Sequence, residues 1–467
     1  MERLKGRWWN NFVMELKKSS SIAAPMVAVS ALQYLLQVVS VIIVGHVSQA
    51  SLAAVAIATA LTNVTGFSLL SGLCGAMETL CGQAYGAKQY QELGTYTYSA
   101  MMTLILVCCP ISISWIFIDK LLILIGQDPL ISSQARDFSL WLIPGLFGGA
   151  ILKPMTRYVQ TQSLILPMLA SSFVVLCIHV PLCWALVFKL ELGNIGAAIA
   201  FSFATWLNVA LLGCYINFSP SCAQTRARFS TNAVLGIGEF FRLAVPSAVM
   251  VCLKWWSCEV LVLLAGLLPN AKLETSVLSI CLTISTLHFT IAYGFGVAAS
   301  TRVSNELGAG DPGSARVAAW TTMFMVAVEA TIASTGIFIS RHRLGNIFNN
   351  EKEVINYVAT MAPLISLAII MDGIQAVISG IAKGSGWQHL GAYVNLGAFY
   401  LVGLPVGLVL GFFAKLRGKG FWIGLVSGTV IQASLLFLIT ICTNWSKQAS
   451  IEMERRMRAR PTSASTG

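Results

Sequence analysis

Twelve apolar runs divide this chain between residues 22 and 443, and each is long enough to cross a lipid bilayer as a helix. In lipid every backbone N–H and C=O group has to be paired within the membrane, which a helix of about 20 apolar residues achieves by itself. Polar turn stretches such as GQDP at 126–129 and RGKG at 417–420 separate the runs. The predicted spans are 22–44, 52–76, 97–118, 138–158, 164–188, 194–217, 239–267, 275–299, 316–339, 355–380, 390–413 and 421–443.

The composition excludes an ordinary soluble domain. Charged residues make up only 10% of the 467 residues and hydrophobic residues make up 56%, whereas a soluble chain typically carries about 25% charged residues. The segment 1–21 lacks the apolar core of a cleavable signal sequence, so we expect the first span to act as its own insertion signal. The sequence therefore predicts an all-α polytopic membrane protein.

The distribution of basic residues predicts the orientation. Outside the predicted spans, the side of the membrane shared by the two termini holds 15 of the 30 Lys and Arg residues, and the other side holds 10. Because basic residues are retained on the cytoplasmic side, both termini are expected there. Residues 1–21, the linker 219–238 and a basic, disordered tail at 444–467 are then cytoplasmic. The net charge of +11 reflects this bias and gives no reason to expect a nucleic-acid partner.

The second half of the chain repeats the first. In ETLCGQAYGA (78–87) and STRVSNELGAG (300–310), three small residues recur at an offset of 222, and prolines and glycines of other spans recur at offsets of 221 and 224. The matches include Thr79 with Thr301, Gly86 with Gly308, Ala87 with Ala309, Pro25 with Pro246, Pro181 with Pro405 and Gly196 with Gly420. Six spans is an even number, so the two six-helix lobes, 22–218 and 239–443, form a parallel repeat. Such repeats favour a transporter, although a channel or a membrane enzyme can also be a duplicated bundle.

The sequence contains no motif typical of an enzyme, a metal site or a nucleotide-binding site. The twelve cysteines include no paired Cys-x-x-Cys spacing and no Walker A phosphate loop occurs. With no nucleophile motif or metal cluster to name, we expect neither an enzyme nor a metal or cofactor site. The glycines and alanines near the ends of spans two and eight are expected to let helices pack closely.

Several motifs in sequence order resemble the multidrug and toxic compound extrusion family, in its plant DETOXIFICATION branch. They are METLCGQAYGAKQY, LLILIGQDPLIS, WLIPGLF, KWWSCEVLVLLAGLLPN, LETSVLSICL, STRVSNELGAGDP and GIAKGSGWQHLGAYVNL. The resemblance implies a monomeric, proton-coupled antiporter that expels organic solutes, such as xenobiotics or secondary metabolites, from the cytosol across the plasma or vacuolar membrane. An uncoupled channel or a lipid-handling protein stays the alternative.

Three acidic residues lie deep within predicted spans, where a charge costs roughly 2.5–3.5 kcal/mol on insertion scales. Glu259 and Asp372 match the positions that the plant-type family uses for proton coupling. Glu329, in span nine, has no such motif support, and neutral burial is an equal alternative for it. The first span has no acid, so coupling is expected in the C-terminal lobe.

Six further residues are predicted to line a solute cavity: Lys254, Trp255, Trp256, Gln375, Asn395 and Gln37. If Lys254 faces that cavity, it should repel cationic solutes; otherwise its long stem simply reaches an interface. His179 and His288 are expected to be packing groups. Glu78, Arg302 and Glu306 lie near the membrane edge, where they could pair with neighbouring groups or belong to a gate.

Overall fold

The computed structural model describes residues 2–226, 231–348 and 351–450. These residues contain twelve helices long and apolar enough to cross a membrane and no β-strand, which confirms the all-α, twelve-span fold. The helices are α1 (Asn10–Gly45), α2 (Gln49–Gly86), α3 (Tyr90–Ile116), α4 (Pro129–Thr161), α5 (Ile165–Lys189), α6 (Gly193–Phe218), α7 (Ile237–Ala265), α8 (Ala271–Gly308), α9 (Pro312–Phe348), α10 (Lys352–Gly384), α11 (Gln388–Phe413) and α12 (Gly418–Cys442).

Several helices continue beyond the apolar runs that predicted them. α8 reaches Gly308, well past the predicted end at 299, and α9 reaches Phe348 rather than 339. Hydropathy reports only the apolar part of a helix, while backbone hydrogen bonding continues through a polar end until a turn stops it. After α8, Gly310 has a left-handed backbone, and Asp311 precedes α9. Bonds from the Ser314 backbone N–H and hydroxyl lower the pKa of the Asp311 carboxyl group.

The beginning of the predicted tail is ordered. Residues 445–450 are helical, although the basic composition favoured disorder from residue 444 onward. The side-chain oxygen of Asn444 accepts from the Lys447 backbone N–H, and Gln448 Nε2 donates to the Ser385 carbonyl oxygen at 2.8 Å. Trp445 is 8% exposed, so capping and burial hold this short helix. The rest of the predicted tail, 451–467, and positions 227–230 of the predicted linker lie outside the described residues.

The chain folds into two compact units. Unit 1 comprises residues 1–24, 78–92 and 257–467, and unit 2 comprises 25–77 and 93–256. This division is not that of the two predicted lobes, because residues 78–92 group with the C-terminal half and residues 239–256 group with the N-terminal half. In unit 1, an apolar core joins α7, α8, α10 and α12, with Phe421 and Trp422 nearly inaccessible.

The parallel repeat is visible in the backbone of the turns. Four positions with a left-handed backbone in the first half have left-handed counterparts in the second half, at sequence offsets of 222, 223, 224 and 224. They are Lys88 with Gly310, Ser163 with Gly386, Glu191 with Lys415, and Gly193 with Arg417. Because a left-handed backbone is uncommon for residues other than glycine, four matching positions reflect the same turns built twice.

The ends of α5 and α11 repeat in finer detail. Both end in a π-helical turn, at Ala185–Lys189 and Val409–Phe413, again at an offset of 224. The next helix then packs a glycine against that turn: a Cβ on Gly196 would lie 2.8 Å from the Leu186 carbonyl carbon, and one on Gly420 would lie 2.5 Å from that of Leu410. Only glycine permits this approach.

Small residues also bring long helices together, as expected. In unit 1, α8 and α10 approach so closely that a Cβ on Gly296 would lie 2.7 Å from the Ala376 carbonyl oxygen. In unit 2, Gly72 of α2 lies against the backbone of Ala248 on α7. Backbone proximity of this kind strengthens van der Waals contact where lipid provides no hydrophobic force between helices.

Candidate functional site

All three predicted acidic residues belong to unit 1. Glu259 on α7, Glu329 on α9 and Asp372 on α10 are each part-exposed. A carboxyl group at membrane depth has to be paired, protonated or hydrated, and partial exposure allows a proton or a solute to reach it. Coupling by Glu259 and Asp372 stays a prediction.

Glu329 is paired with a histidine. Its Oε2 lies 3.3 Å from Nε2 of His288 on α8, whose side chain is 5% exposed. The other ring nitrogen, Nδ1, is buried without a hydrogen-bond partner among the described residues. α10 passes beside the pair, since a Cβ on Gly373 would lie 3.9 Å from His288 Cε1. A carboxylate–imidazole pair therefore lies next to the residue that follows Asp372, a neighbourhood that the sequence did not indicate.

The two predicted polar wall groups of unit 1 are engaged with other side chains. Gln375 is 5% exposed and donates to Ser379 Oγ at 2.7 Å. Asn395 is 1% exposed, and its Oδ1 accepts from Gln432 Nε2 at 2.6 Å. Both amides therefore bond to protein groups in this structure, and their contact with a solute stays a prediction.

The remaining predicted wall residues belong to unit 2. Lys254, Trp255 and Gln37 are part-exposed. Trp256 is 39% exposed, and its indole N–H donates to the Val64 carbonyl oxygen at 3.2 Å, within the π-helical stretch Asn63–Phe67 of α2. One edge of this indole is thus fixed to α2, while its face stays available for stacking.

Two cations inside span four were missed. Lys153 of α4 donates from Nζ to Ser71 Oγ of α2 at 2.6 Å, and Arg157, 9% exposed, donates to Gln160 Oε1. Both residues fall inside the predicted span 138–158, so a count of charges within each span would have found them.

An ion pair ties the end of α2 to the end of α10 within unit 1. Lys383 Nζ lies 3.6 Å from Glu78 Oε1, and the carboxylate side chain is 2% exposed. Beside it, the Thr79 hydroxyl donates to the Lys383 carbonyl oxygen and accepts from Gln388 Nε2. We call residues 78–86, 300–308 and 380–388 the α2–α8–α10 junction.

The two repeated stretches, 78–87 and 300–310, meet in this junction. Gly82 lies against Ser304, Gly86 against the Asn305 backbone and Gly308 against the Gln83 backbone, each too close for a side chain. The sequence predicted that these stretches mark equivalent helix ends, and the matching left-handed positions Lys88 and Gly310 agree. Their direct contact could not be read from the repeat.

Arg302 also joins the beginning of the chain to α8 in unit 1. Its guanidinium binds both carboxylate oxygens of Glu15, at 2.6 and 2.9 Å, and also contacts Glu306. Glu15 is 5% exposed, and a bidentate pair with an arginine is among the stronger ionic contacts. Of the three predicted edge residues, Arg302 and Glu306 pair with each other, and Glu78 pairs elsewhere.

The described part of the chain contains no group of three or more His, Cys, Asp and Glu residues placed to hold a metal ion. The twelve cysteines are free thiols, and most of those in unit 1 and unit 2 are buried or part-buried. Its ionisable side chains include part-exposed carboxyl groups, a histidine–carboxylate pair, ion pairs of Lys and Arg with carboxylates, and the cation Lys153.

Comparison with known proteins gives a family. The family model described as MatE matches residues 25–185 and 246–409. Protein DETOXIFICATION 12 of Arabidopsis thaliana is 51% identical over 455 residues, 96% of this chain and 94% of the relative. Protein DETOXIFICATION 14 of the same plant is 52% identical over 448 residues, 96% and 92% of the two chains.

Solved structures agree with the fold. The crystal structure of the eukaryotic MATE transporter AtDTX14 superposes with a TM-score of 0.92 at 52% identity, covering 95% of this chain and 99% of that chain. An outward-facing multidrug resistance MATE family transporter of the MOP superfamily matches with a TM-score of 0.82 at 15% identity, covering 94% and 97%, which is a likeness of fold alone.

Proposed function

Because the chain belongs to the MatE family of membrane transporters, we propose that it is a proton-coupled antiporter that exports organic solutes from the cytosol. Its solutes are xenobiotics or secondary metabolites, and protons are the only coupling ion. It works as a monomer in the plasma or vacuolar membrane, with both termini in the cytosol.

The observation that carries the proposal is the acidic chemistry of unit 1. Asp372 is followed by Gly373, which lies beside the His288–Glu329 pair, and Glu259 is a further part-exposed carboxyl in the same unit. Ionisable groups within a membrane protein are rare and mark proton or substrate pathways. Burial favours the protonated carboxyl and a nearby cation favours the ionised one, so such a site can be switched by a solute.

The proposed cycle alternates between these two forms. With Glu259 and Asp372 ionised, a cytosolic solute binds; protons from the acidic side then neutralise one or both carboxylates and release the solute. Each pH unit of gradient supplies about 1.4 kcal/mol per proton, and each 100 mV supplies about 2.3 kcal/mol per charge. One proton moving down ordinary gradients therefore suffices for concentrative export.

Alternating access also requires helix ends that can come together and separate, so that one end of the solute path closes and opens. The α2–α8–α10 junction supplies a candidate, because one ion pair, a few hydrogen bonds and close glycine contacts hold three helix ends together. One ion pair and a few hydrogen bonds can break and re-form during a transport cycle, whereas the contacts of a broad apolar core cannot.

Reconstitution tests the proposal. Full-length protein in liposomes should accumulate at least one member of a panel of anionic, neutral and cationic fluorescent organic solutes against its concentration gradient when a pH gradient is imposed, and a protonophore should abolish that accumulation. Equilibration without accumulation would indicate a channel and contradict the proposal. Empty liposomes treated identically are the control for passive trapping of weak bases.

A further inference from the structure

The first half carries positive charge inside its spans. Within the predicted spans of unit 2 the cations are Lys153, Arg157, Arg242 and Lys254, and the one acid is Glu239, at the first position of span seven. The Tyr96 hydroxyl donates to that carboxylate. The spans of unit 2 therefore present mainly positive charge to a solute, whereas the acids of unit 1 present negative charge when they are ionised.

Lys153 is the cation whose surroundings suggest a ligand. It lies two helical turns before the end of α4 at Thr161, which is about 12 Å along the helix, and thus inside the predicted span. Its Nζ reaches α2 and donates to Ser71 Oγ at 2.6 Å, so the side chain lies between helices rather than extending along α4 towards an end of the span.

Its ammonium group is not neutralised by the protein. No carboxylate of the described residues lies within ion-pair distance of Nζ, and the serine hydroxyl is its hydrogen-bond partner. An ammonium group has three N–H donors, so one bond to Ser71 leaves two to be satisfied. Lys153 as a residue is also part-exposed.

From these contacts we infer that Lys153 is a solute-binding residue that accepts an anionic oxygen, a carboxylate or phenolate, on an organic solute. An anion there replaces the missing counter-charge and satisfies the free donors at once, and a charge-assisted bond of this kind is stronger than a neutral one. Ser71 orients the ammonium group, and Lys153 determines specificity. This inference rests on the proposed export of organic solutes and names their class.

Comparison of the two repeated halves of the chain shows that this site is present in the first half and has no counterpart in the second. At the offset of 223 that relates Ser163 to Gly386, the position in α10 equivalent to Lys153 is Ala376, and the position in α4 equivalent to Asp372 is Gly149. Span four thus has the cation Lys153 where span ten has Ala376. Span ten has the acid Asp372 where span four has Gly149. A solute with an acidic group therefore has a basic partner in unit 2.

Equilibrium binding of three matched probes tests the inference. The probes are radiolabelled 3-(4-hydroxyphenyl)propanoate, its primary amide and the corresponding propylamine, measured on purified full-length protein. Wild type should bind the carboxylate best. Lys153→Met should weaken carboxylate binding about tenfold or more and leave the amide within about twofold, whereas Lys153→Arg should retain most of the preference.

Two controls separate the possible failures. Lys120→Met removes an exposed cation outside the spans and should change nothing, and Ser71→Ala should weaken carboxylate binding less than Lys153→Met does. Equal affinity of wild type for carboxylate and amide, no measurable carboxylate binding, or an unchanged preference in Lys153→Met overturns the inference. Because binding needs no gradient, failure of pH-driven uptake would instead contradict the proposed function.

Discussion

The ends of spans five and eleven are built alike, whereas spans four and ten carry opposite charges. Gly196 and Gly420 close on the same π-helical turn in the two halves, and Glu191 and Lys415 share the same left-handed backbone. By contrast, Lys153 of α4 faces no acid among the described residues, and Asp372 of α10 has a glycine as its counterpart. The duplicated features are those that shape the backbone, and the chemistry has diverged.

The same divergence holds for the other ionisable groups of the second half. The equivalents of Glu259, His288 and Glu329 in the first half are an aliphatic residue, a glycine and an aliphatic residue. They are Val38, Gly66 and Val107, at offsets of 221, 222 and 222. The difference teaches that backbone repetition locates helices and turns but does not locate a proton site.

Removing the acids of the second half should have the largest effect. Asp372→Asn and Glu259→Gln should each abolish pH-driven uptake in liposomes, because a neutral side chain cannot exchange a proton. Asp137→Asn, an acid just before the predicted span four of the first half, should keep wild-type transport and serves as the matched control. A double Asp372→Asn, Glu259→Gln variant that transports at the wild-type rate would show that coupling lies elsewhere.

The Glu78–Lys383 pair is the next point at which the halves differ, since the equivalent positions are Ser300 and Gln160. Glu78→Gln or Lys383→Met should each destabilise the protein in detergent by roughly 1–3 kcal/mol, because one charge loses its partner in a largely buried site.

A double-variant cycle sharpens this prediction. Glu78→Gln combined with Lys383→Met should cost less than the sum of the two single changes when thermal unfolding is measured. Strict additivity would show that the two side chains do not interact.

Changes at the shared turn should affect both halves equally. Gly196→Ala and Gly420→Ala each place a Cβ against a carbonyl carbon, at 2.8 and 2.5 Å, and should lower stability by about 1–3 kcal/mol. Gly397→Ala, where a Cβ meets nothing within 4 Å, is the control. Loss of monodisperse protein from one variant only, measured by size-exclusion chromatography, would contradict equal roles for the two turns.

Lys254→Glu should have the smallest effect. Reversing one part-exposed charge on α7 should raise uptake of cationic relative to neutral members of a substrate panel by a few-fold, because repulsion of cations is removed. Lys254→Met should give an intermediate ratio. Identical ratios for wild type and Lys254→Glu would place the ammonium group outside the solute path.

The fold was largely predictable because lipid permits few structures. Twelve apolar runs gave twelve helices, and the larger boundary errors lie at polar ends such as those of α8 and α9. The positions of Glu259, Glu329 and Asp372 could be read directly, since an acid inside an apolar run is conspicuous in the sequence.

The neighbours of these residues could not be predicted in the same way. His288 and Glu329 lie on different helices, and Lys383 lies in the opposite half of the chain from Glu78, so neither pairing follows from helical periodicity. The ion pair between Glu15 and Arg302 likewise results from tertiary packing. Lys153 is different, because its position within a span was visible and only its partner, Ser71, needed the structure.

The matching π-helical turns have a consequence for the helices that contain them. A π turn holds one residue more than the α turn it replaces, so the residues that follow Ala185–Lys189 and Val409–Phe413 are displaced around their helices in the same way in both halves. The π-helical stretch Leu396–Gly403 has an α-helical counterpart at 172–179, so this second displacement occurs in α11 and not in α5.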